Sequence, residues 1–257
     1  MAIPMMIHTL ETVDRILEGK LKVIQKENGY RFSIDALLLS HFIRVQDGNQ
    51  VLDLGTGGGI IPMILAKRWT CSQIVGLDIQ DDLINMAKRS AVINQVADRV
   101  EFTQGDIRQI KTLFDARSFD VVTFNPPYRR IHSGRRNPNV EKAIARHEVE
   151  ATLDDFLLAA AHVLKTKGRA FVIYPAARAV DLFSRMRILR LEPKRIAMVY
   201  SNPASEGQFV LVEGLKGGNE ALKVLPPLFI YEGGGGYTQA MQRIFSDLAS
   251  FPASADG

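Results

Sequence analysis

The chain has 257 residues, 46% of them hydrophobic and 23% charged, with a formal net charge of +4, which is enough apolar material for one large core or one core with a small appendage. It contains no run of about eighteen apolar residues, and its start, Met1-Ala-Ile-Pro-Met-Met-Ile-His8, lacks the basic residues and long apolar centre of a secretory signal, so a soluble cytoplasmic protein with no membrane partner is expected. Cys71 is the single cysteine, which excludes an internal disulfide and a thiolate zinc cluster; no metal is expected.

In chain order, residues 21–25 and 29–32 read as a small hairpin leading into a helix over 34–42. Residues 50–54 form a first buried strand and 60–67 open a helix. A second strand over 73–77 precedes a helix over 81–94, which carries Leu83, Ile84, Ala87, Ala91 and Val92 at helical spacing. Residues 100–104 are a third strand, and 119–124 a fourth that ends at Asn125. The segment 152–164 is an amphipathic helix with Leu153, Phe156, Leu157, Ala160, Ala161 and Leu164 on one face, stopped by Lys167-Gly168 ahead of a fifth strand over 169–174. After a helix over 177–189, the segments 194–200 and 208–213 are joined only by the turn Asn202-Pro203-Ala204-Ser205, which makes them an antiparallel pair.

Past that pair, Pro226-Pro227 argues against a central strand in the extended piece 225–231, and the glycines at 233–236 read most simply as a linker. The element order implies an α/β fold with a mostly parallel, Rossmann-like sheet and helices on both faces. We divide the chain into an N-terminal hairpin and helix (1–45) packed on the core, a main domain (46–215) and a C-terminal extension (216–257).

Three strand ends present an acid towards the edge where open α/β sheets bind ligands. After the first strand comes Asp53-Leu54-Gly55-Thr56-Gly57-Gly58-Gly59, whose glycines permit positive φ and close backbone approach. Its spacing differs from the Gly-x-Gly-x-x-Gly dinucleotide fingerprint. An acid two residues before the first glycine suits a cofactor bearing an ammonium and a sulfonium better than one bearing two phosphates. At the second strand end Asp78 can accept from both hydroxyls of a ribose, and Ile79 can pack on an adenine. After the third, Gly105-Asp106-Ile107 can accept from the adenine amino group. Singly each acid reads as a helix cap or turn residue; in this order they point to S-adenosylmethionine.

At the fourth strand end stands Asn125-Pro126-Pro127-Tyr128. An exocyclic amine on adenine, like a glutamine amide, delocalises its lone pair and is a poor nucleophile until acceptors hold its N–H groups. The Asn125 side-chain oxygen and the Pro126 carbonyl, freed by the proline turn, supply two such acceptors, and Tyr128 supplies a flat face for the π system. Just beyond, Arg129, Arg130, Arg135, Arg136, Lys142 and Arg146 stand against one acid, Glu141, a surplus that attracts phosphates. The bland alternative is a solvated loop that aids solubility.

From 50 to 213 the chain resembles the class I S-adenosylmethionine-dependent amino-methyltransferases, which implies a seven-stranded sheet whose last strand is antiparallel. Within that class it looks most like the bacterial tRNA (adenine-37-N6) methyltransferases acting on a valine tRNA, through Gln25, Gly29-Tyr30-Arg31-Phe32-Ser33, Asp35-Ala36-Leu37-Leu38-Leu39, Ala145-Arg146-His147-Glu148 and Thr152-Leu153-Asp154. The resemblance implies that Tyr30 to Ser33, with Phe32, close over the methionine end of the cofactor, that Asp35 fixes that segment, and that Arg146-His147-Glu148 lie near RNA. It also implies tRNA as the partner; a monomer is expected. His147 is read as an RNA-contact or structural residue, because methyl transfer leaves an ammonium acidic enough to lose its proton to water.

Four other readings are weighed against this one. Methylation of a release-factor glutamine amide shares the planar NH2, but such enzymes carry a sizeable helical domain before the glycine loop. The remaining three are ribosomal-RNA guanine methylation, a non-catalytic RNA-binding module, and a dinucleotide oxidoreductase, which leaves Asn125 to Tyr128 unexplained.

Overall fold

The computed structural model describes residues 7–28, 33–128 and 151–246. The chain opens with a hairpin of β1 (Glu11–Ile16) and β2 (Leu21–Lys26), in which Glu11 faces Lys26 and Ile16 faces Leu21. Its connection passes through Leu17, Glu18 and Gly19, all at positive φ (51°, 53° and 83°). The strand expected over 21–25 is therefore present, but its partner precedes it; the partner expected over 29–32 lies outside the described residues. β1 carries Glu11, Asp14 and Arg15, so its place depends on backbone pairing and on polar ties. Arg89 grips Glu11 with two hydrogen bonds of 2.6 Å, and Asn94 both accepts from the Lys22 N–H (2.9 Å) and donates to its carbonyl (2.6 Å).

The alternating centre follows: α1 (Ile34–Phe42), β3 (Gln50–Leu54), α2 (Ile60–Arg68), β4 (Gln73–Asp78), α3 (Asp81–Ile93), β5 (Val100–Gln104), the short α4 (Ile110–Leu113), β6 (Phe119–Phe124), α5 (Leu153–Val163), β7 (Leu164–Pro175) and α6 (Ala179–Ile188). Then come β8 (Leu191–Tyr200), β9 (Gly207–Lys216), β10 (Lys223–Val224), β11 (Leu228–Phe229) and α7 (Gln239–Ser246). The long strands lie in the order β8-β9-β7-β6-β3-β4-β5. β9 runs antiparallel to both β7 and β8, and the remaining long-strand pairs are parallel. Among the described residues the sheet counts nine strands rather than seven, because the tail adds two of two residues each to β8.

Side chains alternate across each strand, and the sheet therefore buries two apolar layers. Val51 and Val121 face one layer, shared with the hairpin, α1, α2 and the tail, while Leu52, Leu54, Val122 and Phe124 face the other, shared with α5 and α6.

Two local expectations are corrected. α5 starts with a capping box of Thr152 and Asp155 but ends at Val163, and β7 begins directly at Leu164. Lys167-Gly168 is not a helix stop: Lys167 has φ 64° and sits where the β6–β7 register shifts, a bulge inside the strand. Nor is the glycine run at 233–236 a linker. The Glu232 N–H donates to the Gly236 carbonyl at 3.0 Å and the Gly235 N–H to that of Glu232 at 3.1 Å. This tight turn stacks Tyr231 on Tyr237 with ring centroids 5.2 Å apart and returns α7 to the core, where Met241 and Ile244 are buried with Leu225, Leu228 and Ile230.

Candidate cofactor and substrate site

The parallel register sets four loops side by side. Leu54 pairs with Leu77 on one side and Phe124 on the other, and Asp78 pairs with Gln104. The glycine loop, the Asp78 turn, the Asp106 turn and the Asn125 turn thus leave one edge of the sheet, as the sequence implied.

In the glycine loop Gly55, Gly57 and Gly59 have φ of 68°, 54° and 75°. The Thr56 N–H donates to the Leu77 carbonyl at 3.0 Å, and the Gly57 N–H to Asp78 Oδ2 at 2.8 Å. Packing constrains the loop as well: a Cβ on Gly59 would stand 2.4 Å from Phe102 Cζ and 2.9 Å from Ala87 Cβ. The glycine therefore lets α2 start against β5 and α3, a role that motif spacing alone does not disclose.

Asp78 is buried, and it holds the loop with one oxygen and its own turn with the other, which accepts from the Gln80 N–H at 2.9 Å. Next to it Ile79 is 52% exposed, an apolar shelf in an otherwise buried strand end. Asp106 accepts from the Arg108 N–H (2.9 Å) and from the Arg108 guanidinium, with Nη2 at 2.5 Å. That guanidinium holds its carboxyl below the ordinary carboxylate value. The acid proposed for an adenine amine is thus engaged with a neighbouring cation. Ile107 is buried in the second apolar layer.

Asp53 lies at the last but one position of β3 and faces the first layer at 1% exposure. Burial pushes its carboxyl up to about 8; the Thr56 hydroxyl acts the other way, and repulsion from Asp78 adds to the rise. No hydrogen bond of full geometry closes with Thr56: Asp53 Oδ2, Thr56 Oγ1 and Thr123 Oγ1 are all buried without a partner. Thr123 is directly opposite Asp53 across the β3–β6 pair. Sequence reading missed both threonines; the available signal was a hydroxyl at an inward position of the apolar run before Asn125.

Asn125 is half-buried, Pro126 buried, Pro127 exposed and Tyr128 half-buried. The Tyr128 ring meets Tyr174 edge-on at 6.1 Å and Phe209 at 5.9 Å, two aromatic supports that sequence reading also missed. Its hydroxyl reaches both Asn125 Oδ1 and Asp35 Oδ2, the latter at 3.0 Å. Asp35 is buried in the first turn of α1, so the N-terminal helix touches the Asn125 turn directly. Phe32, Arg129, Arg130, Arg135, Arg136 and Arg146, together with His147, lie outside the described residues. Among the described residues no group of three or more His, Cys, Asp or Glu side chains is placed to hold a metal ion, and no helix is long and apolar enough to cross a membrane.

A family model described as a methyltransferase domain matches residues 45–225. The tRNA1(Val) (adenine(37)-N6)-methyltransferase of Porphyromonas gingivalis is 30% identical over 164 residues, 63% of this chain and 64% of that protein. The match thus spans slightly less than two thirds of that relative's length. A protein of the same name from a Flavobacteriaceae bacterium is 27% identical over 197 residues, 71% of this chain and 82% of its own. Among solved structures, a predicted O-methyltransferase from Agrobacterium tumefaciens superposes with a TM-score of 0.68 at 18% identity, covering 84% of this chain and 97% of that one. At that identity the superposition speaks for a shared fold.

Proposed function

Since the chain belongs to the methyltransferase domain family, we propose that it transfers the methyl group of S-adenosylmethionine to the N6 amine of adenine in a tRNA, adenosine 37 of a valine tRNA. In this reading it works in the cytoplasm as a monomer, with residues 46–215 as the catalytic domain. The observation that carries it is the placement of Asn125-Pro126-Pro127-Tyr128 on the strand beside the glycine loop, where Leu54 and Phe124 are register partners.

The residues present fit the cofactor. Asp53 Oδ2 and Thr56 Oγ1 are buried polar atoms without partners beneath the loop, and a positively charged ligand seated above them offsets their desolvation. Asp78 and the exposed Ile79 suit a ribose and an adenine face. Because Asp106 is held by Arg108, we assign adenine-edge recognition to the Asp106–Ile107 backbone before the Asp106 carboxylate. Phe32 would complete the methionine end. When bound, S-adenosylmethionine supplies an electrophilic methyl group on a sulfonium.

The chain's own residues act on the acceptor. Asn125 Oδ1 and the Pro126 carbonyl hold the two N–H groups of the amine and turn its lone pair towards the methyl. Tyr128, braced by Tyr174 and Phe209, supports the base, which must leave its loop stack to enter. Arg129, Arg130, Arg135, Arg136 and Arg146 grip the surrounding phosphates. One observation favours RNA over a release-factor amide: the names of the relatives specify tRNA.

The test is methyl incorporation from labelled S-adenosylmethionine into unmodified total tRNA, total rRNA and release factor in parallel, with nucleoside analysis of the labelled fraction. N6-methyladenosine in tRNA is expected, and Asn125→Ala should lower it by orders of magnitude while cofactor affinity stays. Label in protein or rRNA alone would overturn the proposal.

A further inference from the structure

The Tyr128 hydroxyl lies within hydrogen-bonding reach of two acceptors from distant parts of the chain, Asn125 Oδ1 and the Asp35 carboxylate at 3.0 Å. A phenol carries one proton and donates to one of them. A carboxylate takes it more strongly than a neutral amide oxygen, by a factor of about two in hydrogen-bond strength. Once the proton points to Asp35, the phenol oxygen is left as an acceptor. A half-turn of the Asn125 carboxamide then offers it an Nδ2–H, since the two ends of an amide exchange places at almost no steric cost and the hydrogen-bond network decides between them. That half-turn carries Oδ1 to the opposite side, away from Tyr128.

We infer that Asp35 is a positioning residue: through Tyr128 it sets the orientation of the Asn125 carboxamide, so that Oδ1 faces the incoming amine. The relay runs Asn125 Nδ2–H to Tyr128 Oη, and Tyr128 O–H to Asp35 Oδ2. Without Asp35 the phenol proton falls to Asn125 Oδ1 and holds that oxygen on the wrong side. The structure supplies what such a relay needs. Asp35 is buried on the first turn of a regular helix, and Tyr128 is fixed by Tyr174 and Phe209. The inference rests on the amine-methylating reading above, because it concerns which face of Asn125 the substrate meets.

A relay of this kind has a signature that plain structural support lacks. Asp35→Ala, assayed at saturating S-adenosylmethionine and tRNA so that a loss of cofactor affinity does not enter the rate, lowers turnover on the order of a hundredfold, the loss typical of a misoriented reacting geometry. Adding Tyr128→Phe to that variant removes the competing proton and raises turnover back to the level of Tyr128→Phe alone. Asp35→Asn, which keeps the shape and one acceptor oxygen, falls between wild type and Asp35→Ala. A double variant as slow as Asp35→Ala, or slower, overturns the inference.

A second readout needs no substrate. With asparagine labelled in 15N, the Asn125 side-chain amide, assigned by its loss in Asn125→Ala, is expected to move upfield in both Asp35→Ala and Tyr128→Phe as its bond to the phenol is lost. An amide unmoved in Asp35→Ala overturns the positioning role. Should the amide move while wild-type protein methylates no tRNA, the functional reading fails and the relay stands.

Discussion

Replacing Asp53 by asparagine tests whether this buried acid is protonated in the folded protein. Its folded carboxyl is raised from an ordinary 3.8 to about 8, chiefly by burial. The sign follows from linkage: the unfolded chain releases this proton near 3.8 and the folded chain only near 8. Stability contributed by the neutral form is therefore complete below the lower value and is lost as pH rises to the upper one. Each pH unit inside that window costs about 1.4 kcal/mol, so that moving from about pH 5 to about pH 7 costs wild type roughly 3 kcal/mol from this group alone. A carboxamide at this position cannot ionise in either state and escapes the slope. Urea unfolding of wild type and Asp53→Asn at three pH values between those limits, without cofactor, measures the difference directly, with all other titrating groups common to both. The stability of Asp53→Asn relative to wild type should grow steadily with pH. A difference independent of pH would show that Asp53 ionises normally and that the unpartnered oxygen is not where the cost lies.

Gly59→Ala, at φ 75° with Phe102 and Ala87 inside contact distance, should destabilise the protein by roughly 2–5 kcal/mol in thermal unfolding, combining left-handed strain with overpacking; a melting temperature within a degree of wild type would refute the packing role. Asp78→Ala removes the acceptor of the Gly57 and Gln80 N–H groups and should weaken S-adenosylmethionine binding at least tenfold in calorimetry, whereas an unchanged dissociation constant would rule out its ribose and loop-holding roles. Replacing Arg135 and Arg136 together by Ala should weaken tRNA binding and reduce the slope of log affinity against log salt by about 1–2. An identical slope would return that segment to the status of a solvated loop.

Near the chemistry β3, β4 and β6 were legible because parallel strands buried on both faces read as largely apolar runs, while the edge strand β5 buries only Val100 and Phe102 in alternation with more exposed residues. β3, β5 and β6 begin and end where their sequences imply, and β4 runs one residue further, to Asp78. The elements at the periphery were less so. β1 is polar and owes its place to pairing with β2 and to Arg89, neither of which leaves a periodic trace. Lys167-Gly168 shows why a glycine after a helical pattern misleads: a positive φ serves a helix end and a strand bulge equally well, and here the neighbouring strand decides.

Within the site, strand-end acids were legible as types but not as states. Asp106 is committed to Arg108 two residues on, a contact made by the tight turn after β5. Asp35 and Tyr128 meet across 93 positions of sequence, a contact that only the packing of α1 against the sheet creates. The unpartnered Thr123 and Asp53 meet because β3 and β6 are neighbours in space, seventy positions apart in sequence.

The way the tail closes the molecule bears on how the protein is made. Leu225, Leu228, Ile230, Met241 and Ile244 complete the same apolar layer that contains Leu38, Val51 and Met63, and β10 and β11 cover one exposed edge of β8. A growing chain that has reached residue 225, where the family match ends, still has an open greasy face and an unpaired sheet edge, the two surfaces most prone to sticking to other chains. Met241 and Ile244 close that face, so a chain cut between residues 225 and 241 is expected to aggregate although every residue assigned to the chemistry is present.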